Sequence, residues 1–168
     1  MKKHIPQFHF ISFTILLVFI VNTLSAQDTK TGLVKPSLNS NAIFGDIGIN
    51  LEVVGDAWFT GTVFYERMFK LKANKTDIST FARVGFGGMA YWGGDATFAI
   101  AQVGILTGAK NNHLEASLGV TSLLNESYKI FPISTSIGYR RQKPGGHFIF
   151  RTGVAWPEAL YIGIGTSF

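Results

Sequence analysis

Leu160-Tyr-Ile-Gly-Ile-Gly-Thr-Ser-Phe168 is the stretch from which the fold can be read. Leu160, Ile162 and Ile164 fall on one parity, and Gly163, Gly165 and Ser167 on the other. Side chains of a strand alternate between its two faces, so this is a strand with one apolar face and one small, polar face. It closes on an aromatic, Phe168. Whether the apolar face meets a protein core or lipid depends on the strands around it.

Reading back toward the N-terminus, the same alternation recurs with turn signals between the runs. Eight strands are expected: Ala42–Leu51, Ala57–Lys70, Ile78–Tyr91, Ala96–Gly108, His113–Leu123, Phe131–Arg141, His147–Trp156 and Ala159–Phe168. Lys72-Ala-Asn-Lys-Thr-Asp77, Lys110-Asn-Asn112 and Gln142-Lys-Pro-Gly-Gly146 are among the separators. An even number of connected amphipathic strands predicts an all-β, eight-stranded antiparallel up-and-down transmembrane barrel.

The distribution of charge orients the faces. Asp46 and Asn50, Thr60, Thr62 and Glu66, Arg83, Glu115 and Ser117, Ser134, Ser136 and Arg140, and Arg151 all oppose apolar faces. Most strand glycines share their parity, and small residues suit a narrow barrel interior. A charge on the lipid side at mid-bilayer would cost ~2–4 kcal/mol for Arg or Lys. The polar face is therefore assigned to the lumen, the reverse of a soluble barrel with a greasy pocket. The fourth strand alternates poorly, and its faces and pairing are left unassigned.

The N-terminus reads as a secretory signal: Lys2 and Lys3, an apolar run from Phe8 to Val21, and a polar stretch ending at Ala26. Residues 1–26 are taken as signal peptide, 27–41 as a flexible periplasmic lead-in and 42–168 as barrel. Aromatic content of 14% and nineteen glycines against 15% charge is unusual for a soluble domain. The net charge of +5 invites a nucleic-acid reading, but the cations form no single run and the chain is exported, so nucleic acid is rejected. Without cysteine there is no lipoprotein anchor, disulfide or thiolate metal site.

Aromatics are expected in two girdles. Trp58, Phe59, Tyr91, Trp92, Tyr128, Phe131, Trp156 and Tyr161 go to the external rim. Tyr65, Phe69, Phe81, Tyr139, Phe148, Phe150 and Phe168 go to the periplasmic end. Inside, Glu66, Arg83, Glu115, Arg140 and Arg151 lie near periplasmic turns and should form an interlocked layer, since Arg offers five donors in a rigid fork. The plain reading is a polar plug of a narrow lumen. The sharper one is a gated ion path or a small-ligand site.

Tyr65-Glu-Arg67, Arg83-x-Gly85, Leu114-Glu115, Gly138-Tyr-Arg140, Phe150-Arg-x-Gly153 and Gly165-x-x-Phe168 follow one another in order. In this order, and in its terminal aromatic, the chain resembles small outer-membrane β-barrel proteins common in Bacteroidota, with an OmpA/OmpX-like eight-stranded architecture. The resemblance implies the fold and the outer-membrane location, and it transfers no catalytic residue.

Some barrels of this size modify lipids with Ser, His and a carboxylate. His113, Glu115 and Ser117 share a face, but successive side chains on that face are ~6.8 Å apart along the strand, too spread for a relay. His113 and His147 give no metal spacing. The expectation is thus a non-enzymatic, monomeric outer-membrane barrel with a structural or interaction role. The alternatives are a narrow pore or ligand barrel and, less favoured, a lipid-modifying enzyme. Catalytic residues, metal and cofactors are predicted to be none. Membrane lipid and the barrel-insertion machinery, through the strand ending at Phe168, are the partners. Leu124–Lys129 is the one external loop long enough for recognition, through Asn125, Glu126, Tyr128 and Lys129. The periplasmic turns hold Lys70, Lys72, Lys75, Lys110 and Lys143, a basic rim suited to anionic lipid headgroups or peptidoglycan, and Arg141 can snorkel to that interface.

Overall fold

The computed structural model describes residues 38–51, 57–70, 78–91, 94–108, 111–125, 132–156 and 158–168. The strands are β1 (Asn41–Leu51), β2 (Ala57–Lys70), β3 (Ile78–Tyr91), β4 (Gly94–Thr107), β5 (Asn112–Leu123), β6 (Ile133–Gln142), β7 (Phe148–Trp156) and β8 (Ala159–Ser167). Each pairs antiparallel with the next, and β1 pairs with β8. The result is the expected closed eight-stranded up-and-down barrel. The bounds of β2 and β3 are those read from the sequence, and the other strand ends differ by at most two residues. Signal peptide, most loop residues and most of the lead-in lie outside the described residues.

The β1–β8 seam runs from Ala42↔Ser167 to Gly48↔Tyr161 and then slips to Ile49↔Ala159, leaving Leu160 as a bulge. Ala159 has φ 59°, and the Leu160 N–H donates to the Glu158 carbonyl at 2.9 Å, a three-residue γ-turn. Turn and bulge together swing Glu158 into the barrel mouth, where it is buried. Gly48 makes room: a Cβ there would collide with the Glu158 and Thr60 side chains. At the other end, Asn39 Nδ2 donates to the Ser167 carbonyl (3.1 Å) and Oγ (3.2 Å), and the Met68 N–H donates to the Ser40 carbonyl at 2.7 Å. The last residues of the lead-in are thus tied to the barrel, and Asn41 already belongs to β1.

The faces follow the parity reading. Every strand turns large apolar side chains outward, while Thr60, Thr62, Glu66, Arg83, Glu115, Ser117, Ser134, Ser136, Arg140 and Arg151 turn in. On β4, Phe98, Ile100, Gln102 and Leu106 point inward, and Val103 and Ile105 point outward. Both faces of β4 are apolar, so alternation of polarity could not label them.

Three girdle assignments are corrected. Trp58, Phe81 and Tyr161 are buried inside the barrel, not on its rims. They share parity with Thr60, Arg83 and Gly163, and parity outweighs the tendency of aromatics to mark interfaces. Phe59, Trp156, Tyr65, Phe148 and Phe168 are exposed on the outside as expected. The side chains of Tyr91, Trp92, Tyr128 and Phe131 lie outside the described residues.

Interior aromatics lie over glycines of nearby strands. Phe64 covers Gly85, Phe81 covers Gly104, Phe44 covers Gly165, and Tyr161 covers Gly138 and Gly153. A methyl at Gly85 or Gly104 would strike the Phe64 or Phe81 ring, one at Gly138 or Gly153 would crowd the Tyr161 hydroxyl, and one at Gly165 would strike the Phe44 Cβ. This pairing of large with small fills a lumen of eight strands. Apolar packing gathers Phe44, Phe64, Met89, Phe98, Ile100 and Ile149 in one cluster, and Met68, Phe81 and Leu106, with Leu38 against them, in another.

Candidate functional site

Glu66 on β2, Arg83 on β3, Glu115 on β5, Arg140 on β6 and Arg151 on β7 all reach the same layer, each at most 3% exposed. Cα partnership explains how. Glu66, Arg83 and Gln102 are successive neighbours across β2, β3 and β4, as are Arg140 and Arg151 across β6 and β7. Two arginines placed directly opposite would repel. Carboxylates from elsewhere in the ring separate their fields.

Arg140 Nη1 donates to Glu66 Oε1 at 2.6 Å and lies 3.6 Å from Glu115 Oε2. Arg83 Nη1 donates to Glu115 Oε1 at 2.7 Å and lies 4.0 Å from Glu66 Oε2. Arg151 Nη2 donates to the same Glu115 oxygen. Arg151 Nη1 donates to Asp46 Oδ2 at 2.9 Å. The remaining Arg83 donors go to Gln102 Oε1 (2.5 Å), Ser117 Oγ (2.9 Å) and Ser136 Oγ (2.9 Å). Gln102 Nε2 donates to Ser134 Oγ at 2.6 Å, fixing which way its amide points.

Aromatic faces sandwich the guanidiniums. Arg83 lies 5.1 Å from both the Phe64 and Phe81 ring centres, and Arg151 lies 4.1 Å from Phe44 and 5.3 Å from Tyr161. Ring quadrupoles attract cations, most strongly where water is excluded. The rings therefore help hold buried charge as well as filling space.

The five residues singled out from sequence do come together. Asp46, placed on the inner face but not in the layer, belongs to it and balances three arginines with three acids. Its Cα partner on β8 is Gly163, whose other partner is Arg151, so the ion pair crosses over a glycine. A Cβ on Gly163 would run into the Asp46 carboxylate. Inner parity and opposite charge were the available signals; the level along the barrel was not. Gln102 was missed because the faces of β4 were unreadable. Several buried polar atoms make no hydrogen bond, among them Arg140 Nη2, Glu66 Oε2 and both ends of the Gln142 amide.

The remaining candidates are more dispersed. His113 is buried at the Asn41/Phe168 end, with Nδ1 3.0 Å from the Thr107 carbonyl and Nε2 3.1 Å from the Gln142 carbonyl. Glu115 and Ser117 share its strand face but are engaged by arginines. Among the described residues no group of three or more His, Asp and Glu side chains is arranged to hold a metal. After β5, Asn125 folds back on β4: its Oδ1 accepts from the Thr97 N–H at 3.2 Å, and its Nδ2 donates to the Asp95 carbonyl at 3.3 Å. Glu126, Tyr128 and Lys129 lie outside the described residues. No family model, curated protein or solved structure matches the chain.

Proposed function

We propose that the chain is an exported outer-membrane β-barrel of the small Bacteroidota type, with a closed, charge-paired interior and a structural or interaction role. One observation supports the membrane reading above all. Side chains as large as Ile47 (67% exposed), Leu114 (67%), Ile137 (66%) and Ile164 (61%) coat the outside of a barrel that buries Glu66, Arg83, Glu115, Arg140 and Arg151. Large contiguous apolar surface on a soluble monomer would drive association, whereas hydrocarbon solvates it. The outward-facing charges Arg67, Asp95 and Arg141 stand near strand ends, where they reach the interface. Ring nitrogens of His113 facing backbone carbonyls, with Ser117 held by Arg83, support a non-catalytic role.

The test is refolding of the full chain into phospholipid vesicles, followed by a heat-modifiability gel and single-channel recording. A compact, heat-modifiable band without conductance is the expected result. A chain that stays out of the vesicles would overturn the membrane reading. Buried polar atoms of Arg140, Glu66 and Gln142 that make no hydrogen bond favour a second reading, a narrow hydrated path. Reproducible ion-selective steps altered by Glu66→Ala or Arg83→Ala would replace the plug with that path.

A further inference from the structure

On the outside of the barrel, at the Asn41/Phe168 end, Arg141, Lys143 and His147 surround a cavity of about 690 Å³ that Phe148 and Phe150 also line. Arg141 points away from the lumen because its neighbour Arg140 points into it. Its Cα partners are Asn112 on β5 and Phe150 on β7. Lys143-Pro-Gly-Gly146 forms a tight turn: the Gly146 N–H donates to the Lys143 carbonyl at 2.8 Å, and Gly145 has φ 70° behind a proline, as a type II turn requires. The turn brings Lys143 back beside the start of β7. His147 is anchored there, its Nδ1–H donating to the Ser167 carbonyl at 2.7 Å.

The cavity has two unlike walls. One is cationic and exposed, formed by Arg141 and Lys143. The other is the rings of Phe148 and Phe150, which continue into the apolar belt through Ile162 and Ile164. No described Asp or Glu side chain lies at this rim: Asp46, Glu66 and Glu115 are inside the barrel, and Asp95 and Glu158 are at the opposite end. The complement to such a surface is an amphiphile with an anionic head and an apolar tail. Arg presents a fork that matches two phosphate oxygens, and Lys adds a point charge.

We propose that this cavity is a headgroup site for an anionic glycerophospholipid, its phosphate between Arg141 and Lys143 and its acyl chains along Phe148 and Phe150. The proposal rests on the membrane reading above. It goes beyond general solvation by lipid in assigning one place, one charge and one leaflet, that of the Asn41/Phe168 end.

The chain has no cysteine, so a single introduced thiol can carry a fluorophore unambiguously. Thr166→Cys places it beside Phe148, its Cα partner, without altering the lining residues, and Phe86→Cys places it on the remote belt. Each labelled protein is refolded into phosphatidylcholine vesicles containing phosphatidylglycerol, with one lipid or the other brominated as quencher. At position 166, phosphatidylglycerol should be preferred by about fivefold for each cation. The preference should fall to near parity in Arg141→Gln/Lys143→Gln, while position 86 shows none. No preference at position 166, or one surviving the double substitution, overturns the site. Loss of preference to added inorganic phosphate overturns the lipid in favour of a free anion. Quenching at neither position overturns the membrane reading itself, which quenching without preference would leave standing.

Discussion

Glu115 is the hinge of the interior electrostatics: one of its oxygens accepts from both Arg83 and Arg151, and the other lies 3.6 Å from Arg140. Glu115→Ala would leave three buried guanidiniums facing Glu66 and Asp46. Breaking a buried pair by removing one partner costs about 3–5 kcal/mol, because the other charge stays desolvated. Urea unfolding of vesicle-refolded protein should show that loss; an unchanged midpoint would mean the layer does not contribute to stability. Gly163→Ala should cost about 1–3 kcal/mol in the same assay, since its methyl overpacks the Asp46–Arg151 crossing. Glu158 differs in kind. Burial in the barrel mouth pushes its carboxyl above the ordinary value of 4.5, and neighbouring Asp46 pushes the same way. The fold therefore favours the protonated form. Its contribution is full below pH 4.5 and is lost as pH rises through the raised folded value. Glu158→Gln, which mimics the protonated state, should raise the urea midpoint at pH 8 and leave it unchanged at pH 4.

Single elements separate the two solvents. Val103 faces out from β4, while Ile100 on the same strand faces in. Val103→Arg should cost about 2–4 kcal/mol if its surroundings are the middle of a bilayer. A water-exposed substitution would stay within about 0.5 kcal/mol. Ile100→Ala should cost about 2–5 kcal/mol in either medium, since it opens a hole in packed interior. Unfolding midpoints of the two variants in vesicles decide between the media. β4 also marks where sequence reading stops. Seven strands alternate in polarity and could be assigned face by face. Phe98, Ile100 and Leu106 are as apolar as Val103 and Ile105, so polarity says nothing of which set is inside. Three of the girdle assignments failed for a related reason. Trp58, Phe81 and Tyr161 were placed by residue type, when their parity with inward-facing neighbours already gave their direction.

At the scale of the whole barrel, the property that parity cannot supply is stagger. Parity puts Glu66, Arg83, Glu115, Arg140 and Arg151 on one face, but their meeting depends on how far each strand is displaced along its neighbour. Closure of tilted strands fixes that displacement once for the entire ring. It brings Asp46 level with Arg151 across the seam, although β7 and β1 are not neighbours. The seam is therefore where the register can be tested most severely. Ile43 and Thr166 are Cα partners there, on the outer face. Directly opposed antiparallel residues have Cα separations of about 4.5–5.5 Å, inside the range a disulfide spans. Ile43→Cys/Thr166→Cys should oxidise readily and raise resistance to urea, because the bridge closes a long loop that the unfolded chain would otherwise leave free. The loop-entropy limit for so long a span is about 4–5 kcal/mol. Reduction should return the midpoint to that of the reduced double variant before oxidation. A seam slipped by one residue would turn the two thiols to opposite faces. The disulfide would then fail to form in folded protein, and the crossing of Asp46 to Arg151 would fall with the register that permits it.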